Sequence, residues 1–410
     1  MIFNRQNKQK TKNSVEKTNF FLAVDIGTEY VKAVVYKLDG GSVDVIGYSR
    51  VKQQESAMYA AFILNLQHVI DTVDKGIGEA VSMALDAEGD AFVLPKKVIF
   101  GIAGELVYGV TIMVNVERDT PDSPITESEV AEFVDKVKKY TFSNTIEEIA
   151  EEMGIKASQV QEVSTSINSV YIDGMKVNNP LNFTGSELIY RVYSTFAPKI
   201  HIESINQVAA KLNLSVSQIV VEPYALAMGL KNMREPNTSA IIIDIGGGTT
   251  DVALVQNGEI VGTKMFAIGG RVFTKRVQKE LGMDYEEAEE TKLKYSNGDV
   301  SKDVLSKLER AFDKDISTWL TGVEIALESF QDVTEYPSVI YLCGGGALLP
   351  EIQEGLMTYP WLQTLNFKKF PKVNFAFPNS VRNVVDRTKT ATLPMDVTPL
   401  ALARMILENN

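Results

Sequence analysis

Two short segments constrain this chain more than any other feature: Asp25-Ile26-Gly27-Thr28 and Asp244-Ile245-Gly246-Gly247-Gly248-Thr249-Thr250. Each follows an apolar run, Phe20 to Val24 and Ala240 to Ile243, and each leads into another, Val31 to Tyr36 and Val252 to Val255. The pattern reads twice as strand, tight turn, strand, with an Asp closing the first strand and glycine in the turn. Glycine lets backbone N–H groups approach an anion, and Thr adds a hydroxyl donor. A carboxylate repels phosphate, so Asp25 and Asp244 point to a divalent cation that bridges them to phosphates. Two such turns facing each other would clamp a nucleotide tail from both sides, and the second turn adds Asp251.

At 410 residues the chain can bury two cores. Its net charge of −12 weighs against nucleic-acid binding, which needs clustered Lys and Arg. Residues 1–18 run against that trend, with Arg5, Lys8, Lys10, Lys12 and Lys17 opposed by Glu16 alone, and read as a disordered, solubilising basic tail. That tail lacks the apolar region of a signal peptide, so a cytoplasmic location is expected. No uncharged stretch approaches the roughly 20 residues of a transmembrane helix. Cys343 lies in an apolar run and reads as a buried strand residue. With one Cys and the separated His68 and His201, a zinc cluster, a disulfide framework and a Cys–His dyad are all excluded.

Along the chain, Ser56 to Leu85 has helical spacing, and Lys97 to Ile102 reads as a strand. Residues 105–196 form an insert. It comprises a strand (Leu106 to Val116), a helix opened by Thr126 and Glu129 at capping-box spacing, and strands at Val160 to Ile172 and Leu188 to Phe196. The helix carries Val130, Phe133, Val134 and Val137 on one face. An α/β pattern resumes with His201 to Leu212 and Ser217 to Val221, Glu222-Pro223 opens another helix, and Pro236-Asn237 is the candidate hinge. Arg271 to Phe330 is a helical block. Its last helix repeats Leu305, Leu308, Phe312, Ile316, Trp319, Val323 and Leu327 as a core-packing stripe. A third glycine turn, Gly344-Gly345-Gly346, follows the apolar strand Ser338 to Cys343, where a purine and ribose could lie against bare backbone.

In this order the segments resemble the actin-like ATPases, the superfamily of actin, MreB, the heat-shock chaperones and the sugar kinases. Asp25 to Thr28 is similar to the superfamily's first phosphate motif, Asp244 to Thr250 to the second, Glu222-Pro223 to the connecting motif, and Gly344 to Gly346 to the adenosine motif. No G-x-x-x-x-G-K-[ST] P-loop is present. The insert resembles that of the FtsA family of bacterial division proteins, an SHS2 domain. It does so through Pro124-Ile125-Thr126, Tyr171-Ile172-Asp173-Gly174, Asn179-Pro180 and Gly185-Ser186-Glu187-Leu188. Ala288-Glu289-Glu290-Thr291-Lys292 is similar to the A-E-x-x-K element of the second half. The chain departs from FtsA in two ways. It stops at Ala401 to Asn410 without a basic amphipathic membrane helix, and its Arg271 to Phe330 block is all helical, which is closer to the PilM family of type IV pilus assembly.

The resemblance implies an α/β, actin-like ATPase fold. Two RNase H-like halves would surround a nucleotide cleft, and the first would carry a strand-helix-strand-strand insert. The expected divisions are 1–18 tail, 19–104 and 197–236 first half, 105–196 insert, 237–270 and 331–410 second half, and 271–330 helical subdomain. ATP and Mg²⁺ are the implied cofactors, with the ion near Asp25 and Asp244 and held through waters. Gly27, Thr28, Gly246, Gly247, Gly248 and Thr249 would hold phosphates. Gly269, Glu289 and Lys292 would border the sugar, with Gly344, Gly345 and Gly346 beside the base. Glu222 matches the position that orients the attacking water; it reads equally as an acid at a helix N-terminus.

The leading expectation is an FtsA-like scaffold with slow hydrolysis. It would polymerise into filaments and link FtsZ and other division proteins to the membrane, whose inner face it would touch peripherally or indirectly. The alternative is a PilM-like component of pilus or secretion assembly with a PilN-like membrane partner. A small-molecule kinase using the same clamp is a third reading. A chaperone is disfavoured because the chain ends where a substrate-binding domain would begin.

Overall fold

Each Asp-Gly turn joins the first two strands of a three-stranded antiparallel meander. Phe20–Ile26, Tyr30–Asp39 and Ser42–Lys52 form the first, and Ala240–Ile245, Thr250–Gln256 and Glu259–Phe266 the second. Two parallel strands extend each meander. Lys97–Ile102 lies beside Phe20–Ile26, followed by Ser215–Val221; Val339–Cys343 lies beside Ala240–Ile245, followed by Lys372–Phe375. The halves therefore repeat one topology, and the repeated sequence signal marks equivalent turns. The structure, a computed structural model, describes residues 19–177 and 179–408. The basic tail at 1–18 lies outside the described residues.

The central strands are buried on both faces, which is why they read as continuous apolar runs rather than alternating ones. Two large cores result. Leu22, Val24, Val34 and Phe100 belong to the first, and Ile243, Leu254, Phe312 and Trp319 to the second. Fully burying side chains of this size contributes about 1.5–3 kcal/mol each before entropy is counted. In the second half the helices Gly270–Leu281, Tyr285–Ser296 and Lys302–Glu328 make the expected helical block. Leu308, Phe312, Ile316, Trp319, Val323 and Leu327 are all buried, and Trp319 Nε1 donates to Thr250 Oγ1 at 2.9 Å, which fixes that helix over the second meander. The helix Val397–Arg404 is buried throughout and belongs to the first core, and Cys343 is buried as expected.

The insert contains strand Tyr108–Glu117, helix Glu127–Met153 and strands Val160–Ile172 and Glu187–Pro198, with a short extra strand at Met175–Val177. Thr126 caps the helix by accepting from Glu129 N at 3.2 Å. The reciprocal half of the expected capping box does not form, because the Glu129 carboxylate accepts instead from Arg118 Nε at 2.7 Å. Phe133 is buried on the predicted face and Val130 half-buried; the side chains of Val134 and Val137 lie outside those described.

One expectation is corrected. The stretch from Ser56 is not helical until Leu66. Ser56, Ala60 and Ala61 adopt left-handed backbone, a short hairpin pairs Met58–Tyr59 with Phe62–Ile63, and Asn65 then caps the helix Leu66–Glu88. The insert also reaches the sheet of the second half. Its strand Tyr108–Glu117 pairs with Glu259–Phe266 through Val110–Gly262 and Gly109–Thr263, so one nine-stranded sheet runs from the second half into the insert. Glycine is required at this crossing. A Cβ on Gly109 would sit 2.1 Å from Tyr193 Oη and 2.2 Å from Thr263 Oγ1, and one on Gly262 would sit 2.9 Å from the Phe330 ring. Among the described residues no helix is long and apolar enough to cross a membrane.

Candidate functional site

The two Asp-Gly turns enter the gap between the halves from opposite sides and touch. A Cβ on Gly247 would lie 2.7 Å from Glu29 Cβ, and one on Gly248 would lie 2.8 Å from Thr28 Oγ1, so bare backbone is needed for this approach. Gly269 supports the second turn, since a Cβ there would meet Gly246 O at 2.6 Å and Thr249 N at 2.8 Å. Gly270 N and Arg271 N donate to Gly246 O and Gly247 O at 2.9 and 2.8 Å and fix the turn to the start of the next helix. The third turn begins at Gly344, φ +85°, where a Cβ would lie 2.2 Å from Asp244 Oδ1.

Together the three turns line a cavity of about 420 Å³. Asp25, Gly27, Thr28, Glu222, Asp244, Gly246, Gly247, Thr249, Glu289, Lys292, Gly344, Gly345 and Gly346 all reach it. Gly248 and Gly269 do not. They line a second cavity, of about 420 Å³, on the far side of the turns, which shares Thr28, Glu29, Gly247 and Arg271 with the first. Gly269 lines this second cavity, and its neighbour Gly270 lines the first.

Charge is unbalanced here. Asp25, Glu222, Asp244 and Asp251 are all buried, and the cation among them is Lys32, whose Nζ lies 2.8 Å from Asp25 Oδ2. Burial works against the Lys32 charge, but Asp25 first, then Asp244 and Glu222, raise its pKa above the ordinary value. Burial holds Glu222 well above the usual carboxylate range, and Asp25, Asp251 and Asp244 add to that. Asp251 is pushed the same way by burial, then by Asp244 and Asp25, and its Oδ1 has no hydrogen-bond partner. Asp244 is raised by burial, against which the Thr398 hydroxyl donates to Oδ2. Gly101 makes room for the Glu222 carboxylate: a Cβ there would sit 2.5 Å from Oε1.

These residues fit a divalent cation. Carboxylate oxygens are the hard donors that Mg²⁺ takes, and an orphaned carboxylate oxygen is present on Asp251 beside Asp244 and Asp25. Among the described residues no group of three or more His, Cys, Asp or Glu converges to hold a metal. An ion here would therefore take one or two carboxylates and complete its shell with phosphate oxygens and water.

Glu289 and Lys292 pair with each other. Lys292 Nζ donates to Glu289 Oε2 at 2.7 Å and to Thr274 Oγ1 at 2.9 Å. Four participants were missed in the sequence. Lys32 carries a signal, a cation within the apolar run Val31 to Tyr36 that must find a buried partner. Glu29, Arg271 and Thr398 carry none, because their contacts join segments far apart in the chain.

A separate groove of about 430 Å³ lies between the strands Val160–Ile172 and Ser215–Val221. Consecutive residues of both strands line it, 163–168 and 217–220, so strand edges rather than faces border the space. Ser215–Val221 is the end strand of its sheet, and Val160–Ile172 finds an outer partner only at Val170 to Ile172. Both edges can therefore hydrogen-bond an added strand.

A family model described as type IV pilus assembly protein PilM matches residues 131–395. Cell division protein FtsA of Streptococcus pneumoniae serotype 2 is 26% identical over 360 residues, covering 82% of this chain and 72% of that protein. FtsA of Neisseria meningitidis serogroup B is 22% identical over 283 residues, covering 68% and 62%, and FtsA of Enterococcus faecalis 23% over 357 residues, covering 82% and 76%. Among solved structures, a chain of the PilM-PilN type IV pilus biogenesis complex superposes with a TM-score of 0.66 at 15% identity, over 94% of this chain and 98% of that one.

Proposed function

Because the chain belongs to the family of type IV pilus assembly protein PilM, within the FtsA/PilM branch of the actin-like ATPases, we propose that it is a nucleotide-switched adaptor. It binds ATP with Mg²⁺ between its halves and, so closed, holds a cytoplasmic segment of a PilN-like membrane protein. The observation that carries the nucleotide reading is the cavity where two glycine turns from opposite halves meet, lined by the buried carboxylates Asp25, Glu29, Glu222, Asp244, Asp251 and Glu289 and by Lys32 and Lys292. Lys32 and the turn N–H groups bind and orient phosphate oxygens, and Asp25 and Asp244 would hold the ion. Bound Mg²⁺ would supply charge neutralisation of the phosphate tail. Glu222, wedged beside Gly101, positions water by geometry, a role that accounts for slow hydrolysis; burial first, then Asp25, Asp251 and Asp244, raise its pKa above the ordinary carboxylate value.

The partner reading is supported by the groove, whose paired strand edges fit an extended peptide. On this reading the protein would sit at the inner face of a membrane through its partner. The division role is the second reading, supported by the FtsA relatives and by the strand-helix-strand-strand insert. There the protein would assemble into filaments and recruit FtsZ. The cavity behind the turns is what a kinase reading would need for an acceptor, and phosphate transfer to a panel of sugars and acids tests that.

Fluorescence anisotropy with ATP and Mg²⁺ separates the first two readings. Two labelled peptides from the same organism are compared, the cytoplasmic N-terminal segment of its PilN-like protein and the C-terminal tail of its FtsZ. Saturable binding of the PilN segment alone is expected. Binding of the FtsZ tail alone would replace the adaptor reading with the division one.

A further inference from the structure

Three arginines gather beside the groove between Val160–Ile172 and Ser215–Val221. Arg404 is 3% exposed, yet its Nε and Nη1 have no hydrogen-bond partner; only Nη2 is engaged, donating to Glu408 Oε1 at 2.6 Å. Arg234, on the groove wall, has a buried Nη1 without a partner. Arg382 donates from Nε to Met228 O at 3.0 Å and from Nη2 to the same Glu408 oxygen at 3.5 Å. Burial, followed by the charges of Arg404 and, more weakly, Arg234, holds Arg382 below its ordinary pKa despite Glu408. Tyr224, which lines the groove and donates to Ser166 Oγ at 3.1 Å, lies within the field of Arg234, Arg404 and Glu408. A further groove residue, Gln218, has a buried Oε1 with no partner.

Guanidinium donors removed from water and left unpaired are costly; Glu408 pairs with Arg404 and Arg382 and Glu235 adds its charge near Arg382, yet Arg404 Nε and Nη1 and Arg234 Nη1 remain without a partner. What is missing is a planar acceptor that takes two N–H groups at once, which a carboxylate supplies. We propose that Arg234, Arg382 and Arg404 form a carboxylate subsite at the edge of the groove, occupied by an Asp or Glu side chain of the extended peptide laid along Ser215–Val221. Gln218 Oε1 then accepts from an N–H or O–H of the same peptide. This rests on the groove being the partner site. It adds the chemistry by which that partner is read: strand edges give register-independent affinity, and the arginine corner fixes register by accepting an acid at one position.

The test uses the full chain with ATP and Mg²⁺ and two fluorescein-labelled, C-terminally amidated peptides. One is the cytoplasmic N-terminal segment of the PilN-like protein; the other is the same segment with every Asp and Glu changed to Asn and Gln. The amide version should bind at least about tenfold more weakly to the native protein. Arg234→Gln and Arg382→Gln, both on partly exposed residues, should weaken the acidic peptide comparably and leave the amide peptide unchanged. Melting curves of both variants confirm folding, which Arg404→Gln would put at risk. Equal binding of the two peptides to the native protein, or tight binding of a segment carrying no carboxylate, overturns the subsite and leaves the groove reading standing. Absence of binding by either peptide removes the groove reading and the subsite with it.

Discussion

Arg271 Nε lies 2.6 Å from Glu29 Oε2, an ion pair that joins the helix after the second phosphate turn to the first phosphate turn on the opposite half. The rest of the guanidinium is used in the same way. Nη2 donates to Thr28 O at 2.7 Å and Nη1 to Met58 O at 3.0 Å, while Tyr285 adds a hydroxyl to Glu29 at 3.2 Å. These contacts bridge the two halves at the wall of the cavity that the turns line.

Opening for nucleotide exchange must break this latch. Arg271→Ala should accelerate release of a fluorescent ATP analogue roughly tenfold, corresponding to about 1.4 kcal/mol. Glu29→Gln should give a similar acceleration, and the double variant less than the product of the two. Stopped-flow release rates check this; rates equal to the native protein in both variants would show that the latch does not limit exchange.

Gly247 bears on affinity rather than rate. Gly247→Ala puts a Cβ where Glu29 Cβ stands, so the two turns must separate. Each half keeps its own core, and the melting temperature should fall by only a few degrees while ATP affinity falls more than tenfold. A variant that binds ATP as the native protein does would show that the turns need not meet.

The acid cluster makes stability depend on pH in a defined direction. Glu222, Asp244 and Asp251 have folded pKa values raised above their ordinary 4.5, 3.8 and 3.8, so the folded state holds protons that the unfolded state releases. Their contribution is fully present below about pH 4 and is lost as pH rises through the folded values. Asp251→Asn should therefore raise the melting temperature of the nucleotide-free protein at pH 8 and change it little at pH 4.5, while weakening the Mg²⁺ dependence of ATP binding. Equal effects at both pH values would remove Asp251 from the cluster.

His201 works in the opposite direction. Burial lowers its pKa from 6.5 to about 4, under the Phe62 ring 4.8 Å away. Its contribution is present above pH 6.5 and is lost as pH falls toward 4, by about 3 kcal/mol over that range. Urea titrations of the native protein and His201→Gln at pH 7 and pH 4.5 should show a smaller acid loss in the variant. An identical loss would place the acid sensitivity elsewhere.

The sequence revealed most where chemistry is local. A strand, an Asp and a glycine turn within ten residues can be read without knowing the fold, and the strands Lys97–Ile102 and Val160–Ile172 were bounded correctly by their apolar runs. The helix assigned from Ser56 failed at its start because apolar spacing cannot register the left-handed backbone at Ala60 and Ala61. The sheet crossing at Gly109 and Gly262 and the Glu29–Arg271 pair were hidden for another reason. Both are long-range contacts whose partners look ordinary in their own neighbourhoods, a glycine in a strand or a charge beside a turn.

The central claim is a Mg²⁺-dependent nucleotide site between the halves. Calorimetric titration of the purified full chain with ATP, in Mg²⁺ and then in EDTA, tests it most directly, with Lys32→Ala alongside. The account predicts one site per chain, at least tenfold weaker in EDTA and lost in Lys32→Ala. ATP binding indifferent to both Mg²⁺ and Lys32, or no binding at all, would contradict it.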